Sequence, residues 1–190
     1  MTSVSLDIFV DNIKPLRDIS VDGQGETCAF MTECTNDAVY FDGVMKDYIH
    51  DLNVSETPKS IDALIIREDA QMFFIEFRNG KLDSSDSHEI RQKIFNSVFV
   101  LTDIYGKGIS YMRDFLSFIL VYNESKNASS YSIIAQATSK LADAKIVKLG
   151  LGCFRNYCFK SVFTYTENEL REKVDDLFHQ AAGQHRVGMK

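Results

Sequence analysis

The chain of 190 residues has no tryptophan and only 2 prolines and 10 glycines. So little proline and glycine excludes a collagen-like protein and a chain dominated by flexible linkers. The longest apolar run, residues 115–122, is much shorter than the roughly 20 residues of a membrane-spanning helix. Because 45% of the residues are hydrophobic, the chain can bury a core, which excludes disorder over most of its length.

The N-terminus lacks the features of a secretory signal, since Asp7 and Asp11 stand where such a signal has a basic start and an apolar middle. We therefore expect a cytoplasmic protein that does not cross a membrane. In a reducing compartment its cysteines are expected to be free thiols, mostly buried, and no histidine stands near them at zinc-finger spacing. The sequence has 4 cysteines: Cys28, Cys34, Cys153 and Cys158.

Positive charge is also scarce, because 21 Lys and Arg stand against 27 Asp and Glu, for a formal net charge of −6. The deficit lies in the first third of the chain. Residues 1–60 carry 4 basic and 11 acidic side chains, whereas residues 61–190 carry 17 basic and 16 acidic ones. Nucleic acid is therefore not held through the overall charge of this protein, and any contact with it must be local.

Some of the acids in the first third recur at spacings of four and five residues, and valine, tyrosine and leucine recur between them. This pattern predicts one helix with an apolar stripe and outward-facing acids. Two interpretations of the acids stay open: a solvated helix face, or a patch that binds a basic partner. The acids concerned are Asp37, Asp42, Asp47 and Asp51.

After this helix, apolar patterning and turn residues predict the remaining elements. The predicted elements are a hairpin of strands 61–67 and 71–78, a helix over 87–103 with caps at Ser85, Asp86 or Ser87, a central strand over 115–122, a helix over 132–142, a strand over 159–165, and a helix opened by a Thr166/Glu169 capping box and ending near His179. The fold class is therefore α/β (α+β), with a mixed central sheet flanked by helices. We expect a single domain over residues 1–190, with an N-terminal extension over 1–30 and a frayed tail over 181–190.

Chemistry-bearing residues come together in the predicted hairpin. Asp62 lies near the start of its first strand and Glu76 near the end of its second, so antiparallel pairing brings the two carboxylates together. Arg78 follows two positions later and faces the same side of the strand as Glu76. Two convergent carboxylates are ligands that Mg²⁺ prefers. The alternative is a pair of polar strand ends, partly paired with Arg78 or Arg67.

This arrangement, over roughly residues 35–122, resembles the PD-(D/E)XK nuclease superfamily, whose core has the same order of helix, meander, helix and strand. The resemblance implies that Asp62 and Glu76 bind a metal and that Arg78 stands in the position of the lysine that serves the attacking water. The sequence departs from the pattern because Ile61 replaces proline and Arg78 replaces lysine. A guanidinium does not release its proton as a lysine can. Lys81 or Lys93 could take over that role.

The sequence also resembles a group of small bacterial cytosolic proteins that carry an FIEFKNG-type strand, here FIEFRNG over residues 74–80. Proteins of this kind occur beside polymorphic toxins of the contact-dependent inhibition type, and the resemblance implies an immunity protein. Such a protein binds its toxin through complementary shape and charge and needs no catalytic residues. Phosphate-binding glycine loops and nucleophile elbows do not occur in the sequence.

We therefore expect a non-catalytic immunity protein that binds and neutralises a cognate bacterial toxin, a basic nuclease domain, in the cytosol. Its partner-binding acids would be those of the predicted acidic helix, and it would need no cofactor. The alternative is a metal-dependent PD-(D/E)XK-type nuclease in which Asp62 and Glu76 bind Mg²⁺. Nucleic acid is a partner only under this alternative.

Overall fold

The computed structural model of the protein describes residues 6–22, 29–127 and 147–179. Its strands are β1 (Ile13–Pro15), β2 (Val21–Asp22), β3 (Ala29–Phe30), β4 (Asp37–Tyr40), β5 (Ala63–Ile66), β6 (Met72–Arg78), β7 (Leu116–Tyr122) and β8 (Ser161–Thr166). Its α-helices are α1 (Asp7–Val10), α2 (Leu16–Ile19), α3 (Phe41–Ile49), α4 (Ser84–Tyr105), α5 (Ile109–Phe115), α6 (Glu124–Asn127) and α7 (Glu167–Phe178). A 3-10 segment covers Lys148–Phe154.

A 6-stranded mixed sheet organises the fold, with the strand order β1-β4-β5-β6-β7-β8. The pairs from β1 to β6 are antiparallel, whereas β6, β7 and β8 are parallel to one another. Parallel neighbours need a crossover connection, and α4 and α5 supply it between β6 and β7. The predicted α/β (α+β) class with a mixed sheet flanked by helices is confirmed.

Each face of the sheet is covered by a separate apolar cluster. Along β6 the side chains alternate, so Met72 and Phe74 pack with α3, α4 and the 3-10 segment, while Ile75 packs with α2 and α7. Every residue of β7 is buried, as expected for a strand covered on both faces. Glu76 follows the same alternation and therefore lies on the α4 face of the sheet.

The predicted hairpin is confirmed as β5 and β6, which pair with Ala63 opposite Ile75. The following helix begins at Ser84, a few residues before the predicted start, because Asp83 is its N-cap. Asp83 Oδ1 accepts hydrogen bonds from the backbone N–H groups of Ser85 and Asp86, and the Asp86 carboxylate accepts one from the Asp83 N–H in return. The three residues proposed as caps, Ser85, Asp86 and Ser87, therefore lie inside the first turn.

The prediction of a single helix that carries Asp37, Asp42, Asp47 and Asp51 is wrong. Asp37 to Tyr40 form strand β4, which pairs with β1 and β5, and the helix begins only at Phe41. The alternation of β4 buries Ala38 on one face of the sheet and Val39 on the other. Acidic and apolar residues spaced four to five positions apart are typical of a helix. A strand followed by a helix can place its buried residues at the same spacing, and that is the case here.

Near the C-terminus, the predicted strand is confirmed as β8, and the Thr166/Glu169 capping box opens α7 as predicted. The predicted helix over 132–142 and the frayed tail over 181–190 lie outside the described residues. Within the expected N-terminal extension, β1 forms an edge of the main sheet, and Phe9, Leu16 and Ile19 are buried in its cores. Residues 7–22 are therefore packed into the domain.

The described cysteines are free thiols, and only one of them is buried. Cys158 is buried, Cys34 is half-buried and Cys153 is exposed. The expectation of mostly buried thiols therefore holds for Cys158 alone, and Cys28 lies outside the described residues. Among the helices of the described residues, none has the length and apolarity needed to cross a membrane.

Candidate functional site

Asp62 and Glu76 lie side by side, as the hairpin pattern predicts. Asp62 directly precedes β5, and the pairing of Ala63 with Ile75 brings it beside the next residue of β6, Glu76. The backbone N–H of Phe77 donates to Asp62 Oδ2 at 2.7 Å, which fixes the aspartate against the end of β6. Asp62 is partly exposed, whereas the side chain of Glu76 is completely buried.

Lys93, on helix α4, lies between these two carboxylates. Its Nζ donates to Asp62 Oδ1 at 3.0 Å and to Glu76 Oε1 and Oε2 at 2.8 and 3.1 Å. Only 14% of the Lys93 side chain is exposed, so these contacts are formed largely away from water. Helical spacing carries Lys93 toward the sheet, because Ile90 and Ile94 on either side of it are buried in the core beneath α4.

Arg78 is the second cation that pairs with Glu76. Its Nη2 atom lies 2.9 Å from Glu76 Oε1 and 2.6 Å from Glu89 Oε1, and its Nη1 atom lies 3.7 Å from Asp86. Glu89 in turn accepts a hydrogen bond from Lys59 at 2.8 Å. Positive and negative side chains therefore alternate from Lys59 through Glu89, Arg78 and Glu76 to Lys93 and Asp62.

Burial and these contacts compete in setting the pKa values of the network. Burial, reinforced by the nearby Asp62 charge, raises the pKa of Glu76, whereas the contacts with Lys93 and Arg78 oppose this rise. Burial also opposes the charge on Lys93, but the Glu76 and Asp62 carboxylates outweigh it and raise the pKa of Lys93. The bonds from Lys59 and Arg78 lower the pKa of Glu89 to about 2.

Asp42 also reaches this site, from the first turn of α3. It accepts a hydrogen bond from the hydroxyl of Ser60, two residues before Asp62. Burial raises the pKa of Asp42, although the Ser60 bond opposes the rise, and the neighbouring Asp62 charge adds to it. Asp42 is therefore part of the polar site beside the hairpin and not of an outward helix face.

The other acids of the predicted patch lie apart from Asp42. Asp47 accepts a hydrogen bond from Asn12 Nδ2 at 2.7 Å, and Asp51 lies beyond the end of α3, paired with His50 and fully accessible to water. Asp37 is exposed at the start of β4. The four acids therefore do not share one helix face, because they belong to a strand, a short helix and the turn after it.

A cleft with a volume of about 610 Å³ opens beside the network. Asp62 and Arg78 border it, whereas Glu76 lies behind them. The residues lining the cleft are Lys14, Asp18, Ile19, Ser20, Val21, Tyr40, Asp42, Asp62, Phe77, Arg78, Asn79, Gly80, Leu82 and Asp86.

Carboxylate oxygens such as those of Asp62 and Glu76 are ligands that a hard cation prefers, but these four oxygens are not free to bind one. Both oxygens of Asp62 and both oxygens of Glu76 already accept hydrogen bonds from the protein. Within residues 6–22, 29–127 and 147–179, no group of three or more His, Cys, Asp or Glu side chains could hold a metal ion. The Lys93 ammonium lies where a cation shared by the two carboxylates would bind, so a metal fits only if Lys93 withdraws.

No family model, curated protein or solved structure matches this chain.

Sequence reasoning identified Asp62, Glu76 and Arg78 as neighbours, and it named Lys93 as a possible substitute for the missing lysine. It did not identify Glu89 or Ser60 as members of the site. Glu89 lies four residues before Lys93 on α4, a spacing that places both on one side of a helix and could have indicated it. Lys81, the other candidate lysine, is exposed.

Lys93 and Glu76 are expected to stabilise the fold as a pair. Replacing Lys93 with methionine leaves the buried Glu76 without one of its cations, so the free energy of unfolding should fall by about 3 kcal/mol. Glu76→Gln should also destabilise the protein, and the double variant should lose less than the sum of the two single losses. Urea denaturation at pH 7 measures all three values.

Lys81→Met, an exposed control, should change stability by less than about 0.5 kcal/mol. Additive losses would show that the two side chains do not interact.

Glu89 gives the network a pH dependence with a defined sign. Because the pKa of Glu89 falls from 4.5 to about 2 on folding, its contribution to stability is present above pH 4.5 and disappears as the pH falls toward 2. Glu89 is one-third exposed, so water screens the effect, and Glu89→Gln should cost about 1 kcal/mol at pH 7. The difference between variant and parent, measured by urea denaturation from pH 7 to pH 2, should shrink below pH 4.5. An unchanged difference at pH 2 would contradict the ion pairs.

Proposed function

We propose that this protein is a non-catalytic immunity protein that binds and neutralises a basic bacterial toxin domain in the cytosol. One observation carries the non-catalytic part of the proposal: all four oxygens of Asp62 and Glu76 are occupied by protein donors. A catalytic centre needs an open position for a metal or substrate, and in this network Lys93 fills it. The immunity role itself rests on the resemblance of the FIEFRNG strand and its surroundings.

The surface charge is suited to a basic partner. Asp47 and Asp51 are exposed near the end of α3, and Asp37 is exposed at the start of β4, in a third of the chain with few basic residues. Exposed charges of one sign speed the encounter with an oppositely charged protein, an effect that salt screens. A toxin that cleaves nucleic acid carries positive charge to hold phosphates, which is the complementary sign.

Binding can be tested with the toxin domain encoded next to this protein. We expect a stable complex on size-exclusion chromatography and loss of toxin activity when the two are mixed. Replacing Asp37, Asp47 and Asp51 together with asparagine should slow association by about 10-fold at low salt and much less at high salt, because the lost attraction is electrostatic. Stopped-flow measurements at two salt concentrations provide the rates.

A matched control removes the same number of charges from the opposite face of the sheet. Glu172, Asp175 and Asp176 are exposed on α7, which packs on the face opposite α3 and α4. Their joint neutralisation should leave the association rate within about 2-fold of the parent rate. Absence of any complex overturns the immunity proposal, whereas equal slowing in both triple variants overturns the assignment of the binding acids.

The second candidate is a metal-dependent nuclease, and the position of Lys93 favours it. A lysine held within 3.1 Å of both Asp62 and Glu76 could replace the strand lysine that Arg78 displaces. In that case Asp62 and Glu76 would hold Mg²⁺, which activates water and neutralises phosphate charge. Lys93 would then leave the carboxylates and donate to the reacting water or phosphate.

The nuclease candidate predicts cleavage of DNA or RNA by the purified protein in Mg²⁺ or Mn²⁺. Asp62→Asn and Glu76→Gln should each reduce the cleavage rate by more than about 100-fold, because each removes a metal ligand. Asp51→Asn, an exposed control, should cleave at the parent rate. Gel assays of the parent and the three variants provide the comparison. Cleavage that survives both site changes comes from a contaminating nuclease and contradicts this candidate.

A further inference from the structure

The cleft beside the Lys93 network combines carboxylates, an aromatic ring and a volume large enough for a side chain. Its volume of about 610 Å³ lies within the range of sites that enclose a small molecule or a side chain. Its charged lining is predominantly acidic, since four aspartates face only Lys14 and Arg78. The four are Asp18, Asp42, Asp62 and Asp86.

The acidic residues differ in what already neutralises them. Asp62 is bonded to Lys93, and Asp86 lies 3.7 Å from Arg78 and also bonds the N-cap of α4. Asp42 accepts a hydrogen bond from the neutral Ser60 hydroxyl. No cation of the described residues lies within ion-pair distance of it, and Lys93 and Lys46 act on its charge only from beyond that distance. Asp42 is therefore a half-buried carboxylate at the cleft without a cation of its own.

Two aromatic residues line the cleft, Phe77 and Tyr40, and Tyr40 directly precedes α3. The Nζ atom of Lys14 lies 3.9 Å from the centre of the Tyr40 ring, in a cation–π contact. Lys14 is exposed and belongs to the edge strand β1, so its ammonium lies at the border of the cleft and can move away. The ring and the carboxylates thus already attract one cation of the chain to this border.

We propose that this cleft binds the guanidinium group of an arginine side chain that the toxin inserts beside Asp42. The proposal rests on the immunity function proposed above. A guanidinium matches this lining because its planar fork bonds carboxylates and its face stacks on aromatic rings. An anion would instead meet the unpaired Asp42 charge, and an apolar group would bury that charge without compensation.

Agmatine, which carries a guanidinium and an ammonium, tests the cleft without the toxin, and putrescine, which has two ammonium groups and no guanidinium, should bind at least 5-fold more weakly. NMR titration of the protein should show saturable shifts of the Tyr40 and Asp42 backbone signals, with a Kd of about 1 mM, as expected for so small a ligand. Asp42→Asn keeps the Ser60 hydrogen bond and removes the charge, so it should weaken binding at least 5-fold. Asp51→Asn removes an equal charge outside the cleft and should leave the Kd within about 2-fold.

Lys14→Ala distinguishes a cation site from an anion site. Removing this ammonium eliminates a competing positive charge, so agmatine should bind about 2-fold to 5-fold more tightly. Glutarate, an anion of similar length, should not shift these signals in any variant. Weaker agmatine binding in Lys14→Ala, shifts with glutarate, or equal agmatine affinity in the parent and Asp42→Asn would each overturn the proposal.

The toxin complex then separates this proposal from the proposed function. Suppose that the complex forms and that the Kd is measured at high salt. If Asp42→Asn then raises the Kd at least 10-fold and Asp51→Asn raises it much less, the arginine insertion is supported. If the complex forms with the same Kd for the parent and Asp42→Asn, the immunity function stands and the insertion is overturned. If no complex forms, the immunity function and the toxin as the source of the arginine are both overturned, whereas the agmatine result still decides the chemistry of the cleft.

Discussion

The buried contact of Lys93 with Glu76 is the interaction on which the rest of the site depends. Glu76 is completely buried on a central strand, where an unpaired carboxylate would be very costly. Lys93 and Arg78 compensate it from two sides, and each is held in turn by a further acid, Asp62 or Glu89. Because these residues come from the segment directly before β5, from β6 and from α4, the network joins the hairpin to the helix that covers it.

The same network limits what the site can do chemically. A centre that uses two carboxylates to hold a metal must keep oxygen atoms free, and here an ammonium occupies the position between them. Arg78, two residues after Glu76 on β6, adds a permanent cation that pairs with Glu76. Lys93 and Arg78 therefore hold Asp62 and Glu76 in an arrangement that stabilises the fold. The open cleft lies in front of this network, beside Asp42 and Tyr40.

The structure groups the acidic residues of this region differently from the single helix face that the sequence predicts. In the sequence, Asp42 looks like one of several equivalent acids spaced along a helix. In the structure it is separated from Asp47 and Asp51 because five residues advance a helix by about 500°, so Asp42 and Asp47 point to different sides. One surface feature thus becomes two: exposed acids that can attract a partner over a distance, and a half-buried acid that can bind a specific group.

Several features were determined by the sequence alone, because they depend on local patterns. The hairpin of β5 and β6, the buried strand β7 and the Thr166/Glu169 capping box follow from periodicity and from residues a few positions apart. The neighbourhood of Asp62 and Glu76 follows from hairpin pairing in the same way. Only the tertiary structure decided that Tyr40 ends a strand, that Lys93 lies between the two carboxylates, and that Asp42 faces a cleft. These features depend on how α3 and α4 pack against the sheet, and such packing joins residues that are far apart in the chain.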